Sequence, residues 1–194
     1  MIELYAVADH PGPPLPSIAP LRVVAAGDLG IVCGPAGSDD VSPDALWRHA
    51  DIVDALMEDR DLLPFRYGTR VPDEAAAVSA VDARRPELVA ALDRVRGAVE
   101  LSVRVLGEDR PAEAGEYLRR RADVDAVHEA LGKLARASEQ RAPGMPAELL
   151  RASYLVDRDT VARFSAAVAD LQAAHPELSL LCTGPWAPYT FTTP

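Results

Sequence analysis

Residues 98–106 are the stretch that most restricts the possible folds of this chain. From Val99 to Val105, apolar and polar side chains alternate without interruption. Alternation at a period of two predicts a β-strand with one face in a hydrophobic core and the other face outside it. A sheet with one buried face must be covered by helices or by a second sheet. The apolar positions are Val99, Leu101, Val103 and Val105, and the polar positions are Glu100, Ser102 and Arg104.

Hydrophobic periodicity in the rest of the chain predicts an α+β fold with two small domains. The Gly- and Pro-containing stretch Gly107-Glu-Asp-Arg-Pro111 indicates the boundary between them. We predict a ferredoxin-like α+β domain over residues 1–107. Residues 108–194 are predicted to form a long helix and a small sheet with helices on one face. Strands or extended segments are predicted at 2–8, 21–25, 29–33, 62–70, 98–106, 149–156 and 178–182, and helices at 42–59, 73–81, 86–96, 112–141 and 159–174.

The last predicted strand is followed by three aromatic side chains spaced by prolines. Glycine permits positive φ and proline removes a backbone donor, so we expect the strand to stop at Thr183-Gly-Pro185. Each aromatic ring can bury roughly 150–250 Å², which favours a tail that is held in place. Either the tail packs back into the core of the protein, or it offers an aromatic patch to a partner. The candidate residues are Pro185, Trp186, Tyr189 and Phe191.

The charge balance argues against several classes of partner. The 194-residue chain has 20 Lys and Arg against 30 Asp and Glu, which gives a formal net charge of −10. Binding to nucleic acids or to anionic membranes depends on clustered basic residues, so we expect neither. No secretion signal or membrane-spanning apolar stretch is recognised, and the two distant cysteines are typical of buried thiols in a reducing compartment. The sequence therefore predicts a cytoplasmic protein.

Signatures of catalysis and of metal binding are absent from the sequence. It has no nucleophile elbow, phosphate-binding loop or dinucleotide motif, and its four histidines lack ligand spacing. We therefore expect no enzyme activity, cofactor, metal ion or small-molecule substrate. His49 with Asp51 could form a proton-transfer pair, but a solvated helix face explains these two residues better.

The most suggestive polar stretch is Phe65-Arg-Tyr-Gly-Thr-Arg70. Arg66 and Arg70 flank Tyr67 and a glycine turn just before a predicted helix start. This pattern can hold a phosphate or a carboxylate. The alternative is that the two arginines pair with neighbouring acids such as Glu58 or Asp61.

Three stretches taken together resemble the gas vesicle protein L/F family. They are Trp47-Arg-His49 at a helix start, Leu63-Pro-Phe-Arg-Tyr-Gly-Thr69, and the terminal Thr183-Gly-Pro-Trp-Ala-Pro-Tyr-Thr-Phe191. The strand that contains Glu100 lies where the family pattern has a glutamate-containing strand. The segment Tyr154-Leu-Val156 lies where that pattern has a Tyr-Leu-Val strand. The similarity covers nearly the whole chain in order. One departure is Ala187, where the family more often has proline.

The resemblance implies a protein that is not an enzyme. Members of this family are accessory or minor structural proteins of gas vesicles, and they are thought to bind the hydrophobic shell subunit and other accessory proteins during assembly. The resemblance also implies a location in the cytoplasm, at the gas vesicle. A regulatory module of ferredoxin-like fold that binds an anionic small molecule through Arg66 and Arg70 is the alternative function.

Overall fold

The structure, a computed structural model, describes residues 1–37, 42–107, 114–145 and 147–192. By its internal contacts the chain divides into two units. Unit 1 contains Met1–Gly97 together with Ala187–Pro194, and unit 2 contains Ala98–Trp186. The division between the units therefore precedes Ala98 instead of following Gly107. The physical reason is that the strand beginning at Ala98 pairs along its length with strands of unit 2.

In its described residues, unit 1 contains an antiparallel sheet and three helices. The strand order is β2-β3-β1-β4, and β5 also pairs with β1. The strands predicted at 21–25 and 29–33 pair as a hairpin, with a tight turn in which Gly27 has a φ of 65°. The strands are β1 (Ile2–Asp9), β2 (Arg22–Ala26), β3 (Leu29–Pro35), β4 (Leu62–Pro64) and β5 (Arg70–Val71), and the helices are α1 (Pro43–Met57), α2 (Glu74–Ala83) and α3 (Arg85–Val95).

Capping side chains fix where the first two helices of unit 1 begin. The Ser42 hydroxyl accepts a hydrogen bond from the backbone N–H of Ala45, and the Asp73 carboxylate accepts one from that of Ala76. Such caps satisfy amide groups that have no partner inside a helix. Along α1 one face is buried, and it includes Ile52, Val53 and Leu56.

The part of unit 2 that the structure describes is a four-stranded antiparallel sheet with two helices. Its strand order is β7-β8-β6-β9. The inward side of β6 carries the apolar positions that the alternation predicted, and three of them, Leu101, Val103 and Val105, pack with residues of both helices. The elements are β6 (Ala98–Gly107), α4 (Ala114–Gly132), β7 (Ala137–Arg141), β8 (Glu148–Asp157), α5 (Val161–Ala174) and β9 (Leu178–Trp186), with short 3₁₀ turns at Arg158–Thr160 in unit 2 and at Tyr189–Phe191 in unit 1.

The α+β class predicted from the sequence is confirmed, since helices and two antiparallel sheets make up the described residues. The ferredoxin-like description given to residues 1–107 is not confirmed. Unit 1 has three strands before its first helix, whereas the order β-α-β-β-α-β occurs in unit 2, which begins with β6. None of the helices in the described part of the chain combines the length and the apolar character needed to cross a membrane.

Two predicted element boundaries in unit 2 were wrong. The long helix ends at Gly132, not at residue 141, and Ala137–Arg141 forms the edge strand β7. Pairing with β8 decides the conformation there, although the residue types favour a helix. The final strand continues through Gly184 and Pro185 to Trp186, because a register shift between Ser102 and Glu100 accommodates one extra residue on β9.

Candidate functional site

Two of the motif segments meet in unit 1 around the buried imidazole of His49. Its Nε2 lies 3.0 Å from the backbone oxygen of Phe65, and its Nδ1 lies 3.4 Å from Oε1 of Glu3. His49 is only 4% exposed and Glu3 only 5%. The imidazole therefore joins the Trp47-Arg-His49 helix to the Leu63–Thr69 segment and to β1. The interpretation of His49 as part of a solvated helix face was wrong.

The groups around His49 indicate which ring nitrogen carries a hydrogen, and they hold the ring in place. A carbonyl oxygen can only accept a hydrogen bond, so Nε2 must carry the hydrogen that it donates to the carbonyl of Phe65. The remaining nitrogen, Nδ1, makes no hydrogen bond within the described residues and faces the Glu3 carboxylate. Tyr5 stacks on the imidazole at 5.0 Å between ring centroids, and Tyr67 meets it edge-on at 5.7 Å. These two contacts hold the imidazole in place.

Backbone hydrogen bonds fix the Phe65–Arg70 segment against β1. The N–H of Phe65 donates to the carbonyl of Tyr5 at 2.8 Å, and the N–H of Leu4 donates to the carbonyl of Thr69 at 2.9 Å. Between them the chain turns at Gly68, whose φ is 80°. A positive φ of this kind is adopted readily by glycine, which explains the residue type at this position.

An open cleft of about 400 Å³ lies beside the buried pair. Its volume falls within the range of small-ligand sites, and its walls mix aromatic, acidic and basic side chains. Burial, with a smaller contribution from Glu3, raises the pKa of Tyr5, while the guanidinium groups of Arg48 and Arg70 oppose this shift. The chemically distinctive side chains in its lining are Glu3, Tyr5, Arg48, His49 and Tyr67.

The structure separates the roles of the two predicted anion-binding arginines. Arg66 is exposed, and its carbonyl accepts hydrogen bonds from the N–H and the hydroxyl of Thr69. Arg70 is half-buried, and its backbone pairs with Glu3 in the sheet. The Asp61 carboxylate, one of the acids considered as a partner, accepts a hydrogen bond from the N–H of Gly97. An anion site formed by Arg66 and Arg70 stays a prediction.

Pro185 and Trp186 belong to the end of β9 in unit 2. Trp186 pairs in register with Glu100, a buried residue of β6. The indole N–H of Trp186 lies 3.4 Å from the hydroxyl of Thr183, and the residue is 41% exposed. The sequence motif with Glu100 and the terminal motif are therefore adjacent strands of one sheet, and a large part of the indole faces solvent.

The tail after Trp186 packs in unit 1. Ala187 is fully buried and Phe191 is 3% exposed, and the guanidinium of Arg94 donates a hydrogen bond to the carbonyl of Phe191 at 3.0 Å. Burial, together with the charge of Asp54, raises the pKa of Tyr189 to about 12. Within the structure, Phe191 and Ala187 are core residues. A partner-binding role for the tail residues stays a prediction.

One group of metal-ligating side chain types occurs among the described residues. Asp123 on α4 and His175 and Glu177 between α5 and β9 each place one ligand atom within 4.8 Å of the others. Residue spacing could not reveal this set, because the two segments are distant in sequence. Each member is partly or fully exposed, and Nδ1 of His175 already lies 3.5 Å from Oε1 of Glu177.

Comparison with known proteins identifies the protein family of this chain. A family model described as gas vesicle synthesis protein GvpL/GvpF matches residues 3–118 and 116–193. The chain belongs to this family. The resemblance drawn from the three sequence motifs is thus confirmed, and it supports a role associated with gas vesicles.

Relatives within the GvpL/GvpF family extend over most of the chain. Gas vesicle protein L of Streptomyces sp. (strain CB03234) is 30% identical, over 89% of this chain and 83% of that protein. Gas vesicle protein F2 of Halobacterium salinarum is also 30% identical, over 76% of this chain and 67% of that protein. The crystal structure of GvpF from Anabaena sp. PCC7120 superposes with a TM-score of 0.87 at 17% identity, over 100% of this chain and 96% of that one. The last comparison establishes the shared fold.

Proposed function

We propose that this protein is a non-enzymatic accessory or minor structural protein of gas vesicle assembly. It binds the hydrophobic shell subunit and other accessory proteins, and it acts in the cytoplasm and at the vesicle. Membership of the GvpL/GvpF family along almost the entire chain carries the proposal. The name of that family describes gas vesicle synthesis and no catalysed reaction.

Exposed apolar side chains on well-formed elements support a role in protein contact. A shell subunit with an apolar face aggregates unless another surface covers that face before polymerisation. On α1 the indole of Trp47 is 66% exposed, and Leu46 beside it is also exposed. On β9 Trp186 is exposed as well. Trp is enriched among the residues that dominate binding energy at interfaces.

Co-purification of a tagged protein with co-expressed shell subunit tests this function. We expect the wild-type protein to retain the subunit, and Trp47→Ala or Trp186→Ala to reduce the retained amount several-fold while each variant melts within a few degrees of wild type. Arg163→Gln, an exposed change on α5, is the matched control and should retain the subunit. If the wild-type protein retains no subunit when both proteins are soluble, the proposed shell contact is wrong.

A further inference from the structure

Three arginines lie side by side across the outer face of the sheet in unit 2. In the antiparallel register Arg141 of β7 is opposite Arg151 of β8, and Arg151 is opposite Arg104 of β6. Residues directly opposite each other in antiparallel strands point to the same face of the sheet. The row continues to β9 with Leu181, which is opposite Arg104. We call the three basic residues the arginine row.

The arginine row is unfavourable for the isolated fold. Like charges directly opposite each other in a sheet are destabilising, and Arg151 has such a neighbour on both sides. The whole chain has only 20 basic residues against 30 acidic ones, so a row of three is not a consequence of a basic composition. An arrangement that costs stability in the free protein is consistent with a bound partner that offsets the charge.

Two of the three arginines already take part in polar or charge interactions, since Arg141 has one of its own and Arg104 lies near an acidic side chain. Glu148 of β8 is buried, and its Oε1 lies 3.5 Å from Nε of Arg104 while its Oε2 accepts a hydrogen bond from the N–H of Gly144. Glu139 of β7 lies on the same face, one row away, opposite Ser153. Among the described residues, Arg151 itself has no hydrogen bond or ion pair. The central guanidinium therefore keeps its capacity for a carboxylate.

The outer side of the row is open to a partner. Arg104 has a side chain that is 44% exposed, Arg141 is exposed and Arg151 is half-buried. Leu181 at the β9 end of the row is 48% exposed. The opposite face of the sheet is closed by the core that includes Val103 and Val127. A polar row that ends in an exposed leucine fits a protein surface better than a free ion.

The spacing of the row matches the acidic face of a helix. Neighbouring strands are about 4.7–4.9 Å apart, so successive rungs of the row repeat at that distance. Carboxylates at positions i, i+3 or i+4, and i+7 of a helix recur at about 5–6 Å along one face. Arginine can also hold each carboxylate through two parallel hydrogen bonds. A nucleic acid is a poorer match, since a net charge of −10 repels its phosphate backbone.

We infer that the arginine row is a docking site for an acidic helical segment of a partner protein. The segment lies across β7, β8 and β6, its carboxylates pair with the guanidinium groups, and an apolar residue at its end contacts Leu181. This contact is distinct in chemistry from the apolar contact proposed for the shell subunit, because it is formed by charge and weakens as salt is added.

A fluorescence anisotropy titration tests the site. The probe is a labelled alanine-based helical peptide with three glutamates on one face, and the comparison is the same peptide with glutamines in their place. At low salt we expect the glutamate peptide to bind wild-type protein about tenfold more tightly than the glutamine peptide. Arg151→Gln is expected to weaken the binding of the glutamate peptide about tenfold. Arg163→Gln on α5 is expected to keep the affinity for this peptide within about twofold of the wild-type value.

Melting curves of the free protein distinguish a docking role from a structural one. Arg151→Gln removes a charge that lies opposite two other arginines, so we expect this variant to melt at the same temperature as wild type or higher. A fall of several degrees in Arg151→Gln would show that Arg151 supports the fold, and the inference would fail. It also fails if the glutamine peptide binds equally well, if Arg163→Gln loses as much affinity as Arg151→Gln, or if labelled single-stranded DNA binds more tightly than the glutamate peptide.

Discussion

His49 and Trp47 lie two residues apart on α1 and have opposite surroundings. The imidazole is buried against Glu3, Tyr5 and the carbonyl of Phe65, while the indole of Trp47 is largely exposed. Both belong to the same sequence motif, Trp47-Arg-His49. One motif therefore contains a residue that holds the fold together and a residue that is available for contact.

This contrast gives a prediction for substitutions on α1. His49→Ala removes the hydrogen bond to Phe65 and leaves a cavity in place of the buried imidazole that packs on Tyr5, so we expect a loss of about 2–4 kcal/mol of unfolding free energy. Trp47→Ala, the matched control, is expected to change the unfolding free energy by no more than about 0.5 kcal/mol. Urea unfolding followed by circular dichroism measures both values. Equal losses in the two variants would contradict the central position of His49.

The contact between Glu3 and His49 could not be predicted from the sequence alone. The two residues are distant along the chain, and neither the position nor the spacing of His49 indicates which residue it meets. One local signal was present, because Glu3 is an acidic residue between the apolar residues Ile2 and Leu4 in a buried part of β1. A buried acid of this kind requires a partner, but only the folded chain identifies it.

At the scale of elements, β9 depends on one residue that lets it continue past a proline. Gly184 has a φ of 119°, and a Cβ at this position would lie 2.8 Å from the carbonyl oxygen of Glu100. Residues with side chains rarely adopt this conformation, and the approach to β6 leaves no room for one. Glycine therefore allows the strand to bulge and to bring Trp186 opposite Glu100.

We expect Gly184→Ala to lower the unfolding free energy by about 2 kcal/mol or more, because it combines backbone strain with a clash against β6. The control is Gly132→Ala at the end of α4. A Cβ there meets nothing within 4 Å, and Gly132 is not among the glycines with positive φ. That control should be neutral or stabilising by up to about 1 kcal/mol. Thermal melts of the two variants check the difference, and a Gly184→Ala protein as stable as wild type would exclude the strained bulge.

The predicted elements differ in accuracy for a physical reason. The strand around Val103 was predicted correctly because one face of β6 packs on the core and the other face carries Ser102 and Arg104, so its sequence alternates. The edge strand β7 was mistaken for helix because four of its five residues are exposed and no hydrophobic pattern is imposed on them. Pairing of β7 with β8 is a long-range contact, and local propensity does not report it.

At the scale of the whole molecule, buried tyrosines link stability to alkaline pH. Burial raises the pKa of Tyr5, Tyr154 and Tyr189, and that of Tyr189 reaches about 12. An unfolded tyrosine titrates near pH 10, so between about pH 10 and 12 the unfolded chain releases a proton that the folded chain keeps. Stability from this source is complete below about pH 10 and is lost as the pH rises through 12.

Tyr189→Phe has no phenolic proton at this position, so we expect its stability to decline less than that of wild type between about pH 9 and 11.5. Tyr117→Phe provides the control, since this ring is 51% exposed and should follow the wild-type decline. Urea midpoints at the two pH values give the comparison. If Tyr189→Phe and wild type lose equal stability, Tyr189 is not the source of the alkaline sensitivity.

The assignment of Ala187–Pro194 to unit 1 has a consequence for how the protein is made. A ribosome adds about 5–20 residues per second, so roughly 5–20 s separate the synthesis of Gly97 from that of Ala187. During this interval unit 2 is being produced, while the place of Phe191 in unit 1 is still empty. The unit whose synthesis starts first is therefore completed last, and until then it exposes apolar surface that the finished protein conceals.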